Sequence, residues 1–89
     1  MNGLDLLDLR GRAKLSQADM AELMGLAPLT YEDLEREEAQ LTLRHRMSAE
    51  RASLRLAVFQ RNIGLALPTI RRDALDFASL VWGGPPERQ

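Results

Sequence analysis

The chain has 89 residues, 45% of them apolar and 28% charged, with no cysteine and a formal net charge of −1. That length supports one small domain around one core, and the missing cysteines exclude a disulfide framework and thiolate metal ligands, which favours a cytosolic setting. No apolar run approaches the ~18 residues of a membrane span, and the early acids Asp5 and Asp8 are wrong for a signal peptide, so the expectation is a soluble cytoplasmic protein.

Spacings of three and four between apolar residues recur along the whole chain, and no sustained alternation rich in β-branched residues occurs. Both features predict an all-α fold, a compact five-helix domain. The first helix spans roughly Leu4 to Ala13, with Leu6, Leu9 and Ala13 on one stripe and Leu7 beside it; Gly11 weakens its last turn. Ser16 followed by Asp19 is a capping-box pattern that starts a second helix near Gln17. This helix places Met20, Ala21 and Met24 on one side and runs to Met24, after which Gly25 can take a positive φ.

Pro28 suits the first position of a third helix, although Thr30 with Asp33 offers a second start about half a turn on. Tyr31 and Leu34 give this helix its apolar side, and Arg36 to Glu38 lead out of it, unless Glu37 lets it run longer. Gln40 to Met47 reads as a connection containing Arg44, His45 and Arg46. Ser48 then caps a fourth helix of about fifteen residues, with Ala52, Leu56, Phe59 and Ile63 on one face, Leu54, Ala57 and Val58 widening it, and Gly64 as its stop. Pro68 and Thr69 open a last helix, about 69–82, bearing Ile70, Ala74, Phe77, Ala78 and Val81. Gly83, Gly84, Pro85 and Pro86 end it, so residues 1–84 make one domain and 85–89 a mobile tail.

The small net charge hides a strong asymmetry. Residues 1–43 carry four basic and nine acidic side chains, a balance of −5, whereas residues 44–72 carry seven arginines against Glu50 alone, a balance of +6. A nucleic acid would find its electrostatic contact in the middle of the chain; the alternative is that the two segments neutralise each other within the fold or across a dimer. His45 has no partner spaced for metal ligation or catalysis, so no metal, no cofactor and no enzymatic role are expected.

From Leu9 to Arg36 the chain reads LRGRAKLSQADMAELMGLAPLTYEDLER. Leu15-Ser16-Gln17 forms a short entry to the second helix, Ala21 is small where two helices would cross, and Gly25-Leu26-Ala27 supplies a turn. With Thr30, Leu34 and Glu35 in the third helix, this segment resembles the helix-turn-helix of the phage repressor and Xre-like family of bacterial transcription regulators. The resemblance implies a lambda-repressor-like domain with the motif at helices 2 and 3, acting as a repressor on double-stranded DNA.

It further implies that Gln17 meets a phosphate and that Pro28, Leu29, Thr30, Glu32 and Asp33 face the major groove. Lys14, Arg44 and Arg46 flank the motif and could hold phosphates. The family commonly has serine and a basic residue where Glu32 and Asp33 stand, so these two acids either read cytosine with help from nearby arginines or turn the helix toward a protein partner. Glu35 matches a structural acid of the family.

For any one of Phe59, Phe77 and Trp82, core packing is the plain account. The last two helices nevertheless hold more apolar surface than so small a core needs, which assigns Phe77, Val81 and Trp82 to a homodimer interface. A homodimer would set two reading helices about one duplex turn apart, as a palindromic operator requires.

Overall fold

A computed structural model describes residues 1–81 of the chain. Trp82, assigned above to a dimer interface, and the tail 85–89 lie outside the described residues.

Five α-helices follow in the order α1 (Gly3–Ala13), α2 (Gln17–Met24), α3 (Pro28–Glu35), α4 (Leu43–Phe59) and α5 (Pro68–Val81), with a short 3-10 turn at Ile63–Leu65 and no strand among the described residues. The expected all-α, five-helix architecture is therefore what the chain adopts. α1 begins with a reciprocal capping box in which Asn2 accepts from the Asp5 amide and Asp5 accepts from that of Asn2. Only half of the expected box opens α2: the Ser16 hydroxyl accepts the Asp19 amide at 3.1 Å. Gly25 closes α2 with φ at +72°, and the Leu26 amide reaches back to the Ala21 carbonyl at 2.8 Å. α3 starts at Pro28 rather than at Thr30.

α3 does not run on through Glu37. It ends at Glu35, and Glu37 itself takes a left-handed φ of +62°. The stretch from Leu43 to Met47 is likewise no connection but the opening of α4. Thr42, not Ser48, caps it: the Thr42 hydroxyl accepts from the His45 amide, and His45 Nδ1 accepts from the Thr42 amide at 3.2 Å. His45 is thus a capping residue, in the place a glutamate or glutamine usually fills. α4 stops at Phe59, before Gly64, through Gln60 and the left-handed Arg61.

The core is formed by Leu6, Leu9 and Ala13 of α1, Met20, Ala21 and Met24 of α2, Tyr31 and Leu34 of α3, and Ala49, Ala52, Leu56 and Ala57 of α4, closed by Leu65 and Ala66. Gly3 lets α1 and α3 approach: a Cβ there would lie 2.5 Å from the carbonyl oxygens of both Leu34 and Glu35. Phe59 and Ile63 are not in this core, with Phe59 89% exposed: Phe59 shares the helix face of Ala52 and Leu56, but with Leu56 it lines an open groove that no further element covers among the described residues. Phe77 is also exposed, at 67%.

α5 packs chiefly against α4 and none of its residues is buried. Its start is fixed by two bonds: the Leu67 amide donates to the Ser53 hydroxyl at 3.0 Å, and the Thr69 hydroxyl donates to Glu50 at 2.6 Å. No helix among the described residues is long and apolar enough to cross a membrane.

Candidate nucleic-acid interface

α3 has two unlike sides. On the inner side, the Glu35 carboxylate is 6% exposed and accepts four hydrogen bonds. Arg10 gives two of them, from Nε at 2.8 Å and Nη2 at 3.0 Å; Gln17 Nε2 gives one at 3.0 Å and the Tyr31 hydroxyl one at 2.6 Å. Arg10 also donates to the Leu15 carbonyl at 3.1 Å, so one carboxylate ties α1, the start of α2 and α3 together. Burial opposes ionisation of Glu35, but the bonds from Arg10, Tyr31 and Gln17 outweigh it and hold the carboxyl below the usual range. Burial pushes the Tyr31 phenol up, and the neighbouring carboxylate adds to the shift. The Arg10 guanidinium is held charged by Glu35.

On the outer side, Pro28, Leu29 and Thr30 are exposed at the first turn, with Leu29 69% open to solvent. The residue before them, Ala27, caps no amide with its side chain, so the amides of this turn are free to meet an acceptor. Glu32 and Asp33 follow, each half-buried. Asp33 is paired: Arg36 Nη2 lies 3.2 Å from its carboxylate and 3.7 Å from that of Glu38. Hydrogen bonding to Asp33 raises the Arg36 guanidinium above its ordinary value, with Glu38 adding to it. Glu32, Asp33 and Glu38 thus share one arginine on this surface.

The flanking residues are dispersed. Gln17 lies at the start of α2 with one amide hydrogen committed to Glu35, which leaves the other for a phosphate. Lys14 is exposed and left-handed, φ +60°, at the end of α1. Arg44 is exposed in the first turn of α4. Arg46 lines a different groove, with Asp5, Asp8, Arg12 and Glu50, and so faces the acids of α1 rather than those of α3. The arginine beside Glu32 and Asp33 is therefore Arg36, which sequence reasoning passed over although its three-residue offset from Asp33 is the ordinary spacing of a helical ion pair. Arg10, the second residue missed, stands 25 positions from its partner and carries no local signal.

No group of three or more potential metal ligands occurs among the described residues. No protein-family model, no curated protein and no solved structure matches the chain.

Proposed function

We propose that the chain is a helix-turn-helix transcriptional regulator that represses by occupying a palindromic operator as a homodimer. The observation that carries this reading is the mounting of α3. Its inner side is locked to α1 and α2 through Glu35, while Pro28, Leu29 and Thr30 present a first turn with uncapped amides to solvent. A reading helix needs that combination, because base contacts require a rigidly held helix whose leading residues are free. Thr30 and Leu29 are suited to a phosphate and a thymine methyl, and the partly buried carboxylates of Glu32 and Asp33 to the amino group of cytosine.

The opening of α4 supports the same reading. Arg44 lies in a helix first turn that holds no acid. A cation there opposes the helix dipole at a cost of about 0.3–1 kcal/mol, and a phosphate beside it reverses the sign. In this reading the chain is no enzyme, needs no cofactor, and works in the cytoplasm on double-stranded DNA.

A second reading is a protein-interaction module on the same scaffold, favoured by the acidic surface of Glu32, Asp33 and Glu38, which among the described residues pairs with Arg36 alone. Fluorescence anisotropy with a labelled non-specific duplex separates the two. The DNA reading expects weak binding at about 50 mM salt that falls steeply by about 200 mM. Absence of binding at the lower salt would sink it in favour of a protein partner.

A further inference from the structure

Two uncovered apolar patches share no lining residue. One is the end of α5: from Ala74 to Val81 every residue except Asp76 and Ser79 is apolar, and Leu75, Phe77, Leu80 and Val81 are all more than half exposed. A helix segment apolar almost all round belongs in an interior. The other is a groove of ≈ 410 Å³ between α2 and α4, floored by Leu23, Leu56 and Phe59 and rimmed by Asp19, Glu22 and Arg55. No residue of α5 lines it.

The chain's own α5 cannot fill this groove from where it is anchored. It is tied to Glu50, and Phe59 stands nine positions further along α4, which at about 100° per residue is the opposite side of the helix. We infer that α5 is an exchanged arm: in a homodimer, the end of α5 from each copy lies in the α2–α4 groove of the other. This deepens the dimer component of the proposed function and does not depend on DNA binding.

Area favours the exchange over a simple pairing of two α5 helices. The four exposed side chains of the arm, at about 150 Å² for a large side chain, offer roughly 400 Å², half of the about 800 Å² per partner that a specific interface uses. Val58, Phe59, Ile63 and Leu23 at the groove and the α4 end offer about as much again, so covering both patches reaches that size.

Charge agrees. Asp19 and Glu22 on the rim form no ion pair among the described residues, nor do Arg72, Asp73 and Asp76 on the arm, nor Arg55. Arg72 is opposite in sign to the two rim acids, and Asp73 and Asp76 to Arg55. Because the same two copies exchange arms with each other, the contact is isologous and the assembly closes as a two-fold dimer instead of extending into a filament.

Sedimentation equilibrium of the full chain without DNA, at about 10–100 μM, tests this. The expected result is a dimer that Phe77→Asp and Phe59→Asp each weaken at least about tenfold. Both side chains are exposed in the single copy, so circular dichroism should be unchanged. The chain has no cysteine, so a Leu23→Cys chain mixed with a Leu80→Cys chain should form a mixed disulfide dimer under oxidation. A monomeric wild type, a larger assembly, or a dimer that survives Phe59→Asp would overturn the exchange. A dimer that passes every test yet binds no duplex would leave it standing and sink the regulator reading instead.

Discussion

Glu35 and Asp33 sit two residues apart on one eight-residue helix and do opposite work. Glu35 is all but sealed from solvent and carries four hydrogen bonds that join three helices. Asp33 is 43% exposed at its side chain and meets Arg36, itself 54% exposed, across the helix surface. A shared residue type thus says little about role. Helical phase decides it: one carboxylate points at a fixed guanidinium in a low-dielectric site, the other into water, where ion pairs contribute little.

The sharpest way to break the contrast is at Glu35. Glu35→Ala strands Arg10, Gln17 and the Tyr31 hydroxyl, and removing one partner of a buried pair costs at least about 3 kcal/mol. For a chain of this length that is a large part of a total stability of about 5–13 kcal/mol, and urea denaturation would read it directly. Because the folded-state carboxyl of Glu35 is held below its ordinary range, its contribution is complete above the unfolded-state pKa and is lost as pH falls through the lower, folded-state value. Glu35→Gln should therefore be less stable near neutrality and show a flatter loss of stability in acid. Equal stability of wild type and Glu35→Ala would mean that the hub does not hold α3.

Next in size comes Gly3→Ala. Its Cβ would strike the carbonyls that end α3, and backbone cannot move aside as a long side chain can. Overpacking of this kind costs about 1–3 kcal/mol, more than the fraction of a kcal/mol that alanine gains as a helix former. The same change at Gly11, where nothing lies within 4 Å, should stabilise instead. Thermal melts of the two variants moving the same way would contradict this account of how α1 meets α3.

What could be read from the chain follows the reach of each interaction. α2 was legible almost to the residue, because Ser16, Gln17 and Gly25 are local signals for a start and a stop. α4 was not: its true cap pairs Thr42 with a histidine, a rarer partner, while Ser48 offered a familiar false start. The ends of α3 and α4 were hidden for a related reason. Glu37 and Arg61 take left-handed backbone without being glycine, so nothing in the letters marks the turn. Phe59 looked like core because its spacing from Ala52 and Leu56 is helical, yet it faces the open groove between α2 and α4. At the candidate interface the outer residues of α3 came from the resemblance alone, and the structure leaves Pro28, Leu29 and Thr30 exposed, whereas the Arg10–Glu35 pair, being long-range, needed coordinates.

The smallest expected effects lie on the outer side of α3, and they separate charge from geometry. Asp33→Asn removes a negative charge and also breaks the shorter of the two Arg36 pairs, leaving only the 3.7 Å contact to Glu38 to compete with a phosphate for the guanidinium. One added phosphate contact raises the steepness of the log affinity against log salt plot by about 0.9. Glu32→Gln removes the same charge but is not the carboxylate bonded to Arg36. Under the regulator reading, both variants should bind non-specific duplex more tightly at about 50 mM salt, and only Asp33→Asn should steepen the salt dependence. If both raise affinity with one common slope, Arg36 does not reach the backbone and the acids act only through their field. If neither changes affinity, this face of α3 is not turned toward the duplex, and Glu32, Asp33 and the neighbouring Glu38 are better explained as a surface for a basic protein partner.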